Sequence, residues 1–219
     1  MGIGKMTDGG AVGRDITVMN EMTGLHEERL DRVCEALLAT GARRVLDLGC
    51  GAGALLFRLL DQPQFQQIVG VEQSLLRLAE ARQMLASHLQ GESPRLQLLA
   101  GSYAEPEFSL QHFDAAAMVE TIEHVEPTML SQVEQNVFGF LRPRHLFLTT
   151  PNREYNPLFG MALGQMREPD HKFEWDRMKF RRWAAGVAAR QGYAVVFGGI
   201  GDYDPDVGQP TQTAMFSLR

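Results

Sequence analysis

The stretch "LDLGCGAG", residues 46–53, decides how this chain folds. A short apolar run at 43–49 ("RRVLDLG") ends in a turn with glycines at 49, 51 and 53, and a helix is predicted over 53–61. Glycines there let backbone approach a ligand closely and set a helix N-terminus against it. The alternation continues outward from this turn. Strands are predicted at 67–72 ("QIVGVE"), 95–101 ("RLQLLAG"), 113–119 ("FDAAAMV") and 145–150 ("HLFLTT"), with helices at 25–40, 74–88, 128–140 and 178–191. "YAVVFGG" and "QTAMFSL" near the end read as a closing hairpin. Strands regularly separated by helices predict an α/β fold: a seven-stranded, mostly parallel sheet with helices on both faces and an antiparallel last strand. Ligands of such sheets bind beyond the carboxyl ends of the strands.

The chain has 219 residues, of which 44% are apolar and 22% charged, as expected for one globular domain. Residues 1–15 ("MGIGKMTDGGAVGRD") are expected to be a flexible, Gly-rich leader and 16–219 a single domain. The leader lacks the apolar core of a signal peptide, and no run approaches the roughly 20 residues of a membrane span, so a cytoplasmic protein without membrane contact is expected. Two cysteines, Cys34 and Cys50, suggest neither a disulfide framework nor a four-cysteine zinc site. The net charge of −6 is unevenly distributed. Residues 142–190 hold ten Lys/Arg against five Asp/Glu, about +5, leaving about −11 elsewhere. Such a segment can meet a phosphate backbone locally or be a solvated face.

The glycine loop is compatible with two cofactor classes. Gly49, Gly51 and Ala54 fit a dinucleotide fingerprint, but Asp47 lies two residues before the first glycine and would repel a pyrophosphate. The same carboxylate suits the ammonium group of S-adenosylmethionine, and Glu72, ending the second strand, suits a ribose diol. D-x-G-x-G-x-G followed by that acid resembles class I methyltransferases.

A second stretch, "MVETIEHVEP" (118–127), follows the fourth strand. If 120–124 form a turn, Glu120, Glu123 and His124 project to one side. Two anions that close repel unless a proton or cation joins them. Carboxylate oxygens with an imidazole nitrogen suit a divalent metal, although a Glu-His pair at this position also occurs without one. His26, His88, His112 and His145 read as surface or core residues. His171 lies in the irregular segment after the fifth strand, which folds over the carboxyl edge, and Asp170 beside it is placed to orient its ring.

Several stretches together resemble a known family, the small-RNA 3′-terminal 2′-O-methyltransferases (the Hen family), from about Leu25 to Phe216. They are "VLDLGCG", "GVE", "GSYAE", "VETIEHVEP", "VFGFLRPRHLFLTTPNREYNPLF", "DHKFEWDRMKFRRWA" and "PTQTAMF". The resemblance implies a metal site of Glu120, Glu123, His124 and His171, holding Mn2+, Mg2+ or another divalent ion. It implies S-adenosylmethionine contacts at Glu72 and Ser102, beside the loop of Asp47, Gly49 and Gly51. Glu72 stands where Asp is more usual. The implied substrate is RNA with a free 3′-terminal 2′,3′-diol, met mainly by the basic 142–190 segment. His124 is the first choice for the proton acceptor, and Phe173, Trp175 and Tyr155 are expected to stack on bases. Arg153, Lys172, Arg177 and Arg181 are expected on phosphates. The alternative is a small-molecule O-methyltransferase acting on catechols in quinone biosynthesis, since vicinal catechol oxygens chelate metal much as ribose hydroxyls do.

Overall fold

The computed structural model describes residues 10–90, 94–105, 110–111 and 113–219, with side chains from residue 22 onward. Most of the expected leader, together with His112, lies outside the described residues; residues 10–15 fall within the first turns of a helix. No helix among the described residues is long and apolar enough to cross a membrane.

Helix α1 (Gly10–Ala39) precedes strand β1 (Arg44–Leu48), helix α2 (Ala54–Leu60), strand β2 (Gln67–Glu72) and helix α3 (Leu75–Met84). Strands β3 (Leu96–Ala100) and β4 (Ala115–Val119) follow, then helix α4 (Leu130–Val133) and strand β5 (His145–Pro151). Helix α5 (Arg177–Gln191) leads to strands β6 (Tyr193–Ile200) and β7 (Thr211–Leu218). The seven strands form one sheet ordered β3-β2-β1-β4-β5-β7-β6. Neighbours from β3 to β5 run parallel, while β7 is antiparallel to both β5 and β6. This is the class I methyltransferase fold that the sequence predicts.

The central strands are buried on both faces, which is why they read as continuous apolar runs rather than alternating ones. Leu46, Leu48, Val69, Val71, Ala116 and Met118 face one core, shared with the α4 and α5 layer. Val45, Ile68, Ala115 and Ala117 face the other, beneath α1 and α2. Gly70 is required at the crossing: a Cβ there would lie 2.7 Å from Leu56 Cδ1 and 2.9 Å from Cys50 Sγ.

Two elements depart from the expected pattern. Helix α4 continues from Glu134 to Leu141 as a π-helix and ends at Arg142 in the left-handed region, where the wide turn lets Asn136 reach inward. Its Nδ2 donates to the carbonyls of Tyr103 (2.7 Å) and Glu105 (3.0 Å). The segment between β5 and α5 carries a 3-10 helix, Arg153–Phe159, although its sequence lacks helical periodicity. Asn152 caps that helix, accepting from the Glu154 amide, and its Nδ2 donates to the Val207 and Gln209 carbonyls of the β6–β7 loop. Polar side chains rather than an apolar stripe build this segment.

Candidate active site

The carboxyl ends of β1, β2 and β4 bring the cofactor-loop residues together. Gly49, Gly51 and Gly53 all have positive φ (84°, 53° and 91°), conformations that strain residues with a Cβ. A Cβ on Gly49 would stand 2.6 Å from Thr121 Cγ2, whereas one on Gly51 would meet nothing within 4 Å. The loop is therefore packed on one side and open at its tip. Glu72 holds that tip, its Oε2 accepting from the Gly51 amide (2.9 Å) and its Oε1 from the Ser74 amide (2.7 Å). Ser102 Oγ accepts from the Ala104 amide (3.2 Å).

Asp47 is 2% exposed, and its Oδ2 has no hydrogen-bond partner. Burial, followed by the nearby Glu72, pushes its carboxyl up to about 7. An orphaned carboxylate oxygen beside an open glycine tip is a site for a cationic donor, and the ammonium group of S-adenosylmethionine fits it.

The turn after β4 opens with Glu120 in the left-handed region (φ 50°), costly for a residue other than glycine. Its amide donates to the Thr149 carbonyl and hydroxyl, so β5 holds the bend. A 3-10 turn, Ile122–His124, follows. Glu123 is fully buried; its Oε2 accepts from Thr150 (3.0 Å), but its Oε1 has no partner. Burial and the neighbouring Glu120 raise its pKa well above the usual carboxylate range.

The loop after β5 folds over this turn, tied to it by Lys172 N donating to the Glu123 carbonyl (2.8 Å). His124 and His171 meet edge to face, with ring centroids 4.8 Å apart. One ligand atom from each of Glu123, His124 and His171 lies within 4.8 Å of the other two. Each imidazole is braced through Nδ1: His124 by Asp170 (3.1 Å) and His171 by Glu174 (2.6 Å). A carboxylate partner keeps the proton on Nδ1 and leaves the Nε2 lone pair available. Burial lowers the His124 pKa against the opposing charge of Asp170. Burial works to raise Glu174, but hydrogen bonds from His171, the Arg167 amide and Asn156 outweigh it and hold that carboxyl low.

The structure corrects three expectations. Asp170 braces His124 rather than its neighbour His171, because the turn points adjacent side chains in different directions. Glu120 is not among the three converging groups: its Oε1 accepts from Thr149 Oγ1 (2.9 Å) and faces Arg29 Nε (3.4 Å). It nevertheless lines, with His124, His171 and Arg29, a cavity of about 390 Å³. Trp175 is 3% exposed and stacks on Phe173 at 4.4 Å, and Tyr155 is also buried. Trp175 and Tyr155 anchor the loop to the protein and offer no face to a base.

The basic segment is also partly consumed internally. Arg177 pairs with Glu154, Arg190 with Glu134 and Lys172 with Glu126, while Arg167 donates to the Asn152 and Pro210 carbonyls. Two contributors escaped the sequence reading. Glu174 sits i+3 from His171 in a stretch without periodicity. Arg29, 8% exposed, occupies the register of the buried residues Leu25, Val33 and Leu37 on α1, so a charge on an apolar stripe was the legible signal.

A family model described as a methyltransferase domain matches residues 45–144. The small RNA 2'-O-methyltransferase of Rattus norvegicus is 36% identical over 202 residues, 88% of this chain and 50% of that protein. A crystal structure of the methyltransferase domain of a bacterial Hen1 superposes with a TM-score of 0.80 at 37% identity, covering 89% of this chain and all of that one. The chain belongs to the Hen family. The small RNA 2'-O-methyltransferase of Arabidopsis thaliana is 32% identical over 210 residues, with 88% of this chain covering 22% of that larger protein. This Hen-family chain spans about half the length of the rodent relatives it matches.

Proposed function

We propose that the chain transfers a methyl group from S-adenosylmethionine to the 2′-hydroxyl of the 3′-terminal ribose of short RNA, in a metal-dependent reaction. The observation carrying this reading is the unpartnered Glu123 Oε1 converging with two imidazoles, each braced at Nδ1, beside the glycine loop. That donor set, one carboxylate oxygen with two imidazole nitrogens, suits Mn2+, Fe2+ or Zn2+ better than Mg2+. The curated relatives named small RNA 2'-O-methyltransferase support the RNA substrate.

Glu123, His124 and His171 would hold the metal; Glu120, on the wall of the adjoining cavity, is held instead by Thr149 and Arg29. A divalent ion bound there supplies Lewis acidity, lowering the pKa of the terminal hydroxyl. The residues of the chain do the rest. Asp47 and Glu72, with Ser102 beside them, position the methyl donor. The Ile122–His124 turn, fixed by β5, places the acceptor beside it, since neighbouring strand ends share one crevice. His124, whose Nδ1 is held by Asp170 and whose Nε2 would face the metal, orients the cation, and the released proton passes to solvent. An internal ribose of RNA has no free 3′-hydroxyl, so a site that requires both hydroxyls would select the 3′-terminal ribose.

Labelled S-adenosylmethionine and matched RNAs ending in a 2′,3′-diol or a 2′-deoxy ribose test this. Label should enter only the diol-ended RNA, and chelation should abolish it. Equal labelling of both would overturn the terminal-diol assignment.

A further inference from the structure

A second cavity, about 230 Å³, opens on the same edge of the sheet, between the start of α5 and the β6–β7 loop. In the sheet register Pro151 pairs with Thr211, and Thr211 pairs with Ile200, so the carboxyl ends of β5 and β6 flank the start of β7. Pro151 lines the first cavity and Asn152 the second, so one step of backbone separates them. Gln212 belongs to this wall: it is 5% exposed, its Nε2 donates to the carbonyls of Pro151 (3.0 Å) and Trp175 (2.8 Å), and its Oε1 has no partner.

The lining has the chemistry of a nucleotide site. Arg177 and Arg181, one helical turn apart, both face the cavity. The charge of Arg177 is neutralised by Glu154. Arg181 has no ion pair among the described residues, and its guanidinium lies 5.6 Å from the centre of the Phe197 ring. Tyr203, 72% exposed, presents an uncovered aromatic face at the rim. Guanidinium groups and open aromatic faces together hold single-stranded nucleic acid, the one through phosphate and the other by stacking on a base.

We propose that this cavity receives a nucleotide lying 5′ of the terminal one, with Arg181 on its phosphate and Tyr203 against its base. The inference rests on the RNA reading above and adds where the strand runs after its last ribose enters the first cavity. It also explains why Phe173 and Trp175, packed against the core, need not serve as the stacking platform.

The test compares Arg181→Ala with Arg182→Ala, an equal loss of charge one residue away, where the guanidinium lies 3.9 Å from Met178 Sδ. Two substrates are used, an oligoribonucleotide and a nucleoside 5′-monophosphate, which carries the same diol but cannot span both cavities. Arg181→Ala should raise KM for the oligonucleotide at least about fivefold, within the range for losing one base or phosphate contact, and leave the kcat unchanged. It should leave the monophosphate KM unchanged, and Arg182→Ala should alter neither substrate. Tyr203→Ala should reproduce the oligonucleotide defect. Fluorescence anisotropy of the labelled oligonucleotide reads the same contact without turnover. Absence of RNA methylation by the native chain would refute the proposed activity. Unchanged oligonucleotide affinity in Arg181→Ala, or equal losses in Arg181→Ala and Arg182→Ala, would instead refute the second subsite.

Discussion

Asp47 and Glu123 share one physical signature: each is a buried carboxylate with one oxygen left unpaired. The consequence is a pH dependence of known sign. With Asp47 pushed up to about 7, the folded state binds a proton more tightly than the unfolded chain, so Asp47 erodes stability as pH rises from about 4 to about 7. Asp47→Asn should therefore stabilise the ligand-free protein at pH 8, by on the order of a few kcal/mol, while losing affinity for S-adenosylmethionine. Thermal unfolding with and without the cofactor measures both. Glu123 predicts a different observable. Since burial and Glu120 hold its carboxyl above the usual range, Mn2+ affinity should rise with pH and loading should release protons. Calorimetric titration in two buffers of different ionisation enthalpy reads that release. The two bracing carboxylates should also be unequal. Glu174→Gln, deep under the loop, should weaken metal binding about 10- to 100-fold, but Asp170→Asn, at 72% exposure, only a few-fold.

Among the elements, the glycine loop and the turn after β4 form one packed unit. Gly49→Ala would drive a Cβ into Thr121 at a φ of 84°, which costs about 1–3 kcal/mol and displaces the turn carrying Glu123 and His124. Binding assays for S-adenosylmethionine and for Mn2+ should both show losses in that variant. The strands and helices that place this unit were legible because apolar periodicity and glycine turns are local signals. The segment between β5 and α5 was legible only as a resemblance. Its shape comes from side-chain hydrogen bonds among Asn152, Asn156, Arg167 and Glu174, and long-range polar pairing has no period to read. The same limit hid the partner of Asp170, whose reach depends on how the turn rotates successive side chains. Helix α5 obeys simple rules by contrast. Its N-cap Asp176 accepts from the Lys179 amide at 2.7 Å, and Asp176→Ala should lower stability by about 1 kcal/mol in chemical denaturation.

At the scale of the molecule, net charge gives little guidance to the binding face. The chain carries −6 overall, and several cations of the 142–190 segment are neutralised by local carboxylates. RNA affinity should accordingly fall with salt as expected for a few phosphate contacts, fewer than the ten basic residues of that segment would suggest. What the whole fold contributes is convergence: parallel strands deliver a methyl-donor loop, a strained acidic turn and an overlying histidine loop to one edge. The central claim is that Glu123, His124 and His171 form a cation site at that edge. Anomalous diffraction from crystals grown with Mn2+ tests it most directly. A single strong peak is expected within bonding distance of the Glu123 carboxylate and of both imidazoles, lost in His171→Ala. No peak between them, or one that persists unchanged in that variant, would contradict it.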